Sequence, residues 1–499
     1  MTNTQLQELL GQKFNVVKCV DIAELSASPG AALRFFKSVY QSAYDSSSRI
    51  VLYTTQEVDP TLVAHLYKTA NFVDISNWFI LLCTSTDMTT TLAEVCATAS
   101  TDTVPFQNLV IDIDSSQPIL SNFNLPDSIC AVPWTNLEIQ SDGTITPCCI
   151  STCKVGHIST TTLNDAFRNN VMQQLRQDFV DGKKPASCNI CWKSEAQGLT
   201  SGRLNNQKRL NEKFLLEFFE TPTIATLDLK FQNTCNFKCR ICGPDASSLY
   251  ADEQRKFLSI HVPKSLKWSD TDEFIEQFKE LLPQLVNIDM YGGEPFLIKK
   301  FARVLEYAVK IGSAQNIRLH YNSNGSIWPE EFIKYWPHFK QVDIHFSIDA
   351  VGSRFELERG GSWESVESNI LRIKDLRLPN MNISVMPTVN IMNVLYIDEV
   401  VNWARAHNFP IFVNYVSKPI EFSISNLTQA AKDLIFQKHK DSVWPEMANI
   451  LNSIQSTAAS DGHFFCKKTQ LFDNMRGENF ADSHPEIANA MGYVYNSRV

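Results

Sequence analysis

The chain has 499 residues, an apolar fraction of 44% and a net charge of −9. This length allows two to four domains with ordinary buried cores. It contains no apolar run of about 18 residues that would span a membrane. It also lacks a recognisable signal peptide and any dense Lys/Arg block. We therefore expect no membrane span, no nucleic-acid partner and a cytoplasmic location.

Cysteine usage also points to a reducing compartment. The chain has 13 cysteines, and an odd number without a secretion signal argues against a disulfide framework. Cys19, Cys83 and Cys96 lie inside apolar patterns, and we interpret them as buried packing residues. The other ten include two sets with regular spacing.

Residues 1–122 alternate strand and helix patterns and predict a small parallel α/β domain of Rossmann-like type. They contain no G-x-G-x-x-G motif, no P-loop lysine and no D-x-H-x-x-G motif. We interpret this domain as a docking or scaffolding domain that could recruit a protein partner. The predicted strands are 15–20, 49–53, 78–83 and 109–113, and the predicted helices lie near 30–45, 59–73 and 89–99.

Residues 123–200 are cysteine-rich and have hairpin character. Asp142-Gly143 predicts a type I′ turn, which would bring the chain on its two sides together. Four thiolates would then close a site that suits either zinc or an iron–sulfur cube. The four candidate ligands are Cys130, Cys148, Cys188 and Cys191, with Cys149 and Cys153 left as alternative ligands or bystanders.

Residues 201–222 are polar and predict a linker helix, and residues 420–499 are expected to be mostly helical. Between them, residues 223–419 repeat a strand–helix pattern six times. Six such units joined by right-handed crossovers predict a parallel sheet curled into a partial (β/α)6 TIM-like barrel. The six predicted strands are 224–232, 286–291, 316–323, 341–348, 382–389 and 410–417.

Alternation within these strands predicts an apolar face towards the helices and a polar face lining the barrel. Three polar residues on that inner face are candidate bases or substrate anchors: Lys230, His320 and His345. Three others early in their strands are explained at least as well by structural ion pairs at the barrel floor: Asp228, Arg318 and Asp343.

Directly after the first of these strands stand Cys235, Cys239 and Cys242, with C-x3-C-x2-C spacing. Three thiolates on one loop can hold three irons of a [4Fe–4S] cube and leave the fourth iron open. Alone, the spacing could be half of a zinc site. Further polar motifs end the next strands, where barrel enzymes place their active sites.

Together with Gly292-Gly-Glu-Pro295, this loop resembles the radical S-adenosylmethionine (SAM) enzymes over about residues 223–419. The resemblance implies that the open iron binds SAM through its amino and carboxylate groups. It assigns Gly292, Gly293 and Glu294 to the SAM amino group, and Ile241 supplies only an aliphatic contact to adenine. It also implies that Ser347 and Asp349 lie near the ribose, Asn324 beside SAM and Arg359 near the carboxylate.

The upstream cysteine set resembles the SPASM/twitch auxiliary-cluster domain of the same enzymes, in its shorter form. That resemblance favours a second, auxiliary [4Fe–4S] cluster over zinc. Twitch domains usually follow the barrel, whereas this segment precedes it.

The resemblance implies an enzyme that cleaves SAM and abstracts hydrogen from a substrate, with a one-electron donor such as flavodoxin or ferredoxin. We expect the substrate to be a peptide or protein side chain, as in maturases. An alternative is a radical dehydrogenase or epimerase of a small metabolite. A further alternative is an inactive, metal-stabilised interaction module, against which the intact motifs argue.

Overall fold

The computed structural model describes residues 15–21, 48–53, 79–83, 110–112, 126–196, 200–211, 222–258 and 267–496. The chain divides into two compact units, Met1–Asp127 and Ser128–Val499. The three helices predicted in the first unit, Cys96 and the side chains of Cys19 and Cys83 lie outside the described residues, as does the linker beyond residue 211. No helix in the described part of the chain is long and apolar enough to cross a membrane.

In the first unit, all four predicted strands are present and parallel. Their spatial order follows their chain order, with each strand paired to the next. The strands are β1 Asn15–Asp21, β2 Ser48–Tyr53, β3 Phe79–Cys83 and β4 Val110–Asp112.

The second unit contains an open sheet of eight strands. They are β5 Asn136–Ile139, β6 Thr144–Thr146, β7 Gly156–His157, β8 Thr226–Phe231, β9 Asn287–Gly292, β10 Arg318–Ser323, β11 Gln341–Phe346 and β12 Met381–Val385. The order is β12-β11-β10-β9-β8-β5-β6-β7, and β8 to β12 are all parallel. This confirms the predicted α/β class and the parallel sheet of a partial barrel.

The cysteine-rich segment contributes strands to this same sheet. Strand β5 pairs in parallel with β8, the first strand of the predicted barrel, and β6 and β7 continue the sheet antiparallel. The edge of β8 is therefore covered by the upstream hairpin, which the sequence did not indicate.

The last two predicted strands are shorter than expected. The fifth divides into β12 and β13, Thr388–Val389, and of the sixth only β14, Asn414–Tyr415, is a regular strand. The backbone N–H of Asn414 donates to Pro387 O, but Pro387 has no N–H to return a bond. Proline in the ladder thus explains why the pairing is interrupted.

The turn between β5 and β6 differs from the predicted type I′ turn, which needs positive φ at both central residues. Among the described residues, Gly143 has φ 89° whereas Asp142 has no positive φ. Gly143 N donates to Gln140 O, Gln140 N donates to Thr144 O, and Asp142 Oδ1 accepts from Thr144 N. This is a type I turn followed by a glycine bulge, because the Asp142 side chain supports a negative φ.

Seventeen α-helices fall within the described residues. Those before the barrel helices are α1 Val132–Thr135, α2 Leu163–Arg168, α3 Asn170–Val180, α4 Asn189–Ala196 and α5 Gly202–Asn211. Those between the barrel strands are α6 Ser248–Leu258, α7 Asp272–Leu281, α8 Ala302–Lys310, α9 Glu330–Ile333, α10 Gly352–Arg359, α11 Trp363–Lys374 and α12 Ile397–Ala406. The last five are α13 Gln429–His439, α14 Pro445–Gln455, α15 His463–Arg476, α16 Phe480–Ser483 and α17 Pro485–Ala490, as expected for a mostly helical end.

The alternation within the strands distinguishes the two faces of the sheet. On the outer face, Phe231 contacts Phe301, which precedes α8, and Phe301 contacts Phe278 of α7. The other outward residues are fully buried: Leu227, Leu229, Ile288, Met290, Leu319, Tyr321, Val342 and Ile344. The polar residues between them therefore face inward, onto a surface of β5 and β8–β12 that we call the lumen.

Candidate active site

The three-cysteine loop lies just beyond the C-terminal end of β8. Cys239 is buried and Cys235 and Cys242 are partly buried. Burial raises the pKa of Cys235 and Cys242 to about 12, and the nearby Cys239 thiol adds to the increase in both. Buried, mutually close thiols of this kind bind metal as thiolates, so cluster binding would displace their protons. The donor set therefore fits an iron–sulfur cluster.

Glycine at position 293 allows the end of β9 to lie against this loop. A Cβ at Gly293 would stand 2.1 Å from Thr234 O, and the next residue, Glu294, donates its N–H to the same oxygen over 2.8 Å. Gly292 has φ 111°, and a Cβ there would stand 3.0 Å from the backbone of Phe231. The two glycines thus fix the approach of β9 to the residue before Cys235.

Glu294 connects the ends of β9 and β10. Its fully buried carboxylate accepts from Ser323 Oγ over 3.0 Å, Asn324 N over 2.8 Å and Phe296 N over 3.2 Å. Burial raises the pKa of Glu294 to about 7, although these three donors oppose the increase. Glu294 therefore organises the strand ends, and its contact with a SAM amino group stays a prediction.

Asn324 reaches the cysteine loop directly. Its Nδ2 donates to Cys235 Sγ over 3.8 Å and to Asn236 Oδ1 over 3.0 Å, and Ser326 accepts from Asn236 Nδ2 over 2.8 Å. Hydrogen bonds to cluster sulfurs tune a cluster's reduction potential. Sequence reasoning missed Asn236 and Ser326, although both lie within quoted motifs or next to them.

Asp349 and Arg359 form a buried ion pair beside the loop. Asp349 also accepts from Thr388 N over 2.8 Å, whereas Arg359 Nε is buried without a hydrogen-bond partner among the described residues. The positive charge of Arg359 lies near enough to Cys235 and Cys239 to favour their thiolates. Ser347 is partly exposed at the neighbouring strand end. The roles of these residues towards SAM stay predictions.

A group of charged residues near the C-terminus holds the loop from the other side. Arg240, within the cysteine loop, is fully buried and pairs with Asp473 and Glu478, each over 2.6 Å. Arg476 donates to Lys238 O over 2.8 Å and pairs with Glu253 of α6. We call Asp473, Arg476 and Glu478 the C-terminal clamp. No sequence signal indicated it, because its residues lie more than 200 positions from the loop.

The lumen contains the three predicted substrate-handling residues, each with a partner. Lys230 pairs with Asp245 over 3.1 Å, and His320 Nδ1 lies 2.7 Å from Asp289 Oδ1. His345 stacks on the exposed ring of Phe412, and burial, followed by the nearby His320, lowers the pKa of His345 to about 4. Their catalytic roles stay predictions.

The ion pairs expected at the barrel floor are present in part. Arg318 pairs with Asp343. Asp228 forms no ion pair with a described residue and accepts from Asn136 Nδ2 over 3.2 Å. Sequence reasoning missed two residues beside it in the lumen, Asp289 and Tyr291. The alternating run Asn287-Ile-Asp-Met-Tyr291 is the signal that would have indicated them.

The second cysteine set gathers around the hairpin. Burial raises the pKa of Cys130 to about 12, and the thiols of Cys188 and Cys191 contribute to the increase. Burial also raises the pKa of Cys148, and the nearby Cys130 and Cys188 raise it further. The four predicted ligands are therefore close to one another.

Four thiolates suit either zinc or an iron–sulfur cube. Within the described ranges, no three His, Cys, Asp or Glu side chains are arranged around a single ion position. The cysteine positions alone therefore do not distinguish zinc from a cube.

Cys149 and Cys153 occupy different surroundings. Burial raises the pKa of Cys149 to about 12, and the nearby Glu138 and Asp228 contribute to the increase. Cys149 therefore lies on the lumen side. Cys153 is near Cys188, whose pKa it helps to raise.

Comparison with known proteins agrees with both cysteine sets. Residues 229–404 match the family model of the radical SAM superfamily. Residues 130–192 match the model of an iron–sulfur cluster-binding domain, SPASM.

Curated relatives include GTP 3′,8-cyclases. The protein of Vibrio vulnificus (strain YJ016) is 24% identical over 217 residues, which cover 43% of this chain and 57% of the relative. That of Actinobacillus pleuropneumoniae serotype 3 (strain JL03) is 25% identical over 254 residues, covering 50% of this chain and 67% of the relative. The chain thus spans little more than half the length of the first of these relatives.

Among solved structures, native anSMEcpe with bound AdoMet aligns with a TM-score of 0.34 and 16% identity, covering 51% of this chain and 67% of that one. Streptococcus suis SuiB bound to precursor peptide SuiA aligns with a TM-score of 0.30 and 13% identity, covering 59% and 69%. These partial alignments carry no argument about function.

The two domain matches define the class of these segments: residues 229–404 form a radical SAM domain and residues 130–192 a SPASM domain. The SPASM domain precedes the radical SAM domain along the chain. The matches imply SAM and a [4Fe–4S] cluster at the radical SAM domain, and auxiliary iron–sulfur at the SPASM domain.

Proposed function

We propose that this chain cleaves SAM reductively and removes a hydrogen atom from a peptide or protein side chain. The observation that carries the proposal is the three-cysteine loop at the strand ends, fixed by Gly293, Asn324 and Arg240. Cys235, Cys239 and Cys242 would hold a cluster that, when reduced, would supply one electron for cleavage of SAM, and the 5′-deoxyadenosyl group released from SAM would take up the hydrogen atom from the substrate.

The residues of the chain have separate tasks in this proposal. Cys235, Cys239 and Cys242 would hold the cluster, and Asn324 would tune it through its hydrogen bond to sulfur. Arg359 supplies positive charge beside the loop and would meet the SAM carboxylate, with Asp349 fixing its position. Gly292, Gly293 and Glu294 would shape the pocket for the amino group, and Ser347 would lie near the ribose.

The auxiliary site would bind its cluster through Cys130, Cys148, Cys188 and Cys191. Because the hairpin pairs with β8, a cluster at this site could accept an electron from an oxidised substrate. An external one-electron donor of flavodoxin or ferredoxin type would reduce the SAM-binding cluster.

A peptide or protein substrate is supported by the separate first unit. Residues 1–127 are compact on their own and are not required to build the sheet of the second unit. Such a unit is available to recruit a partner.

The second candidate is a small-molecule reaction, since the curated relatives are named GTP 3′,8-cyclases. Against a nucleoside triphosphate stands the lumen, where Glu138, Asp228 and Asp289 lie in neighbouring positions. These carboxyl groups offer a triphosphate no positive charge, and those that are ionised would repel it.

The test is SAM cleavage by anaerobically reconstituted enzyme reduced with dithionite. We expect 5′-deoxyadenosine from the unmodified enzyme and none from Cys235→Ala, whereas Cys466→Ala, outside both sets, should behave as unmodified. Absence of 5′-deoxyadenosine from the iron-loaded enzyme would favour the inactive module. Mass spectrometry of peptides and metabolites from cells with and without Cys235→Ala would then separate the two substrate classes.

A further inference from the structure

Four polar side chains lie side by side across four neighbouring strands of the lumen. Glu138 of β5 is in register with Asp228 of β8, Asp228 with Asp289 of β9, and Asp289 with His320 of β10. Adjacent strands are about 4.8 Å apart, so neighbouring side chains in this row are in contact range. The SPASM hairpin thereby places Glu138 in the same row as residues of the radical SAM domain.

The carboxyl groups in this row are poorly matched by positive charge. Glu138 accepts from two hydroxyl groups, Tyr291 OH over 2.5 Å and Thr146 Oγ1 over 3.4 Å. Asp228 accepts from the neutral amide of Asn136. Within the part of the chain that the structure describes, Asp289 alone of the three has a titratable cationic partner, His320.

Two further cations of the described lumen are ion-paired outside the row. Lys230 pairs with Asp245, although its charge also lowers the pKa of Glu138, and Arg318 pairs with Asp343. Burial raises the pKa of Asp228 well above its usual range, and the adjacent Asp289 and Glu138 raise it further. Burial also raises the pKa of Glu138. Among the described residues, the three carboxyl groups of the row thus have one ion-pair partner, His320.

An unpartnered acceptor lies beside these carboxyl groups. Asn136 is only 6% exposed, and its Nδ2 donates to both Pro147 O and Asp228 Oδ2, which places its amide next to the row. Its Oδ1 is buried and has no hydrogen-bond partner among the described residues. A buried carbonyl oxygen without a hydrogen-bond donor lowers the stability of the fold. The row therefore has one acceptor for which the described residues supply no donor.

We propose that Asn136, Glu138, Asp228 and Asp289 form a subsite for a cationic nitrogen of the substrate, an ammonium or guanidinium group. An ammonium has donors only, and would satisfy Asn136 Oδ1 and the carboxylates together. On binding, the Asp228 carboxyl group releases its proton to solvent, and its carboxylate pairs with the cation. This inference rests on the proposed function and extends it by naming the substrate class.

The subsite lies below the radical-forming end of the lumen. Asp228 is three residues before the end of β8, about 10 Å at the rise of a strand. A substrate held there by its nitrogen would present a carbon several bonds away to the strand ends. A lysine or arginine side chain of a peptide and a free polyamine share this chemistry.

Calorimetry on the SAM-loaded holoenzyme tests the subsite without turnover. The probes are N-acetyl-lysine amide, its uncharged isostere N-acetyl-norleucine amide, and spermidine, each titrated in two buffers of different ionisation enthalpy. We expect the lysine probe to bind at least tenfold more tightly than the norleucine probe and to release a proton. A preference for spermidine would identify a free polyamine as the source of the cation.

Variants localise the effect. Asp228→Asn should weaken binding of the lysine probe at least tenfold and abolish proton release, whereas Asp272→Asn, on the exposed start of α7, should change neither. Equal binding of the lysine and norleucine probes to the unmodified protein would overturn the proposal even if Asp228→Asn failed to fold. Unchanged binding in Asp228→Asn would overturn it as well.

The subsite and the proposed function can fail separately. Cation binding with proton release in a preparation that yields no 5′-deoxyadenosine would uphold the subsite and reject the function. Production of 5′-deoxyadenosine by an enzyme that binds the lysine and norleucine probes equally would uphold the function and reject the subsite.

Discussion

At the scale of single residues, the cysteine loop depends on positions where no side chain fits. Gly293 packs against a backbone oxygen, Thr234 O, which cannot move aside as the end of a flexible side chain could. The motif Gly-Gly-Glu-Pro was recognisable in the sequence, but the partner of Gly293 was not, because the contact joins two strand ends about 60 positions apart.

Gly293→Ala is expected to displace the loop before Cys235 and lower iron retention at the SAM-binding site, with a stability cost of about 1–3 kcal/mol from overpacking. Iron per chain and the cluster's EPR signal after reduction would report the loss. The control is Gly312→Ala, at φ 74° with no atom within 4 Å of its Cβ. It should cost roughly 1–2 kcal/mol through backbone strain alone and leave iron content unchanged. Normal iron loading in Gly293→Ala would show that the loop tolerates the shift.

His345 gives a pH dependence to the stability of the fold. Burial, the neighbouring His320 and Arg318 keep it neutral in the folded state, with a pKa of about 4, while Asp343 and Asp289 partly oppose this. The unfolded chain takes up this proton near pH 6.5. Stability from this group is therefore complete above pH 6.5 and is lost as the pH falls towards 4.

His345→Asn should consequently lose less unfolding free energy between pH 7.5 and pH 5 than the unmodified protein, as measured by urea denaturation of the holoenzyme. His338→Asn, at an exposed position, should follow the unmodified protein. An identical pH dependence in all three would show that His345 is accessible to protons in the folded state.

At the scale of elements, the C-terminal helices stabilise the cysteine loop through buried charge. Asp473 of α15 accepts from Arg240, from Phe480 N over 2.8 Å and from Tyr493 OH. Replacing both partners of a buried ion pair by apolar residues changes the free energy of unfolding little. Removing only one partner leaves the other charge buried and unpaired, which is strongly destabilising.

Arg240→Met is therefore expected to destabilise the fold by about 3–5 kcal/mol, because Asp473 would stay buried without its cation. Cluster loss on dilution should accelerate in parallel, since the loop then keeps only the contact of Arg476 with Lys238 O on the side of the C-terminal clamp. The matched control is Arg303→Met, whose exposed pair with Asp272 should contribute less than about 1 kcal/mol. Equal unfolding free energies for the two variants would show that the C-terminal clamp does not stabilise the fold.

At the scale of the whole molecule, the SPASM segment and the radical SAM domain are not separate bodies. They share one sheet through the pairing of β5 with β8, and Tyr291 of one donates to Glu138 of the other. The order of the domains along the chain therefore does not prevent the auxiliary site from lying beside the barrel.

We expect a chain of residues 128–499 to fold and hold two cubes, about eight irons. A chain of residues 222–499 should aggregate or lose iron, because the edge of β8 would be exposed. Iron content and size-exclusion elution of the two chains are the measurement. A monomeric 222–499 chain that retained its SAM-binding cluster would show that the hairpin is dispensable for the barrel.

The sequence alone determined the elements and chemistry that depend on local pattern. Strand alternation, the succession of strands along residues 223–419 and both cysteine sets could be read from it, since side-chain periodicity and ligand spacing are local properties. It failed locally at the Asp142-Gly143 turn, where the Asp142 side chain stabilises a different turn. It also failed at the pairing of the fifth and sixth strands, where Pro387 of the fifth strand has no N–H to donate.

Only the tertiary structure decided what lies beside the cluster and inside the lumen. The pairing of β5 with β8 set Glu138 next to Asp228, and long-range packing brought Asp473 to Arg240. Such contacts join residues about 90 and 230 positions apart, as Asn136 with Asp228 and Arg240 with Asp473 do. No local pattern specifies them, because they follow from which strand edges and helix faces are buried together when the chain folds.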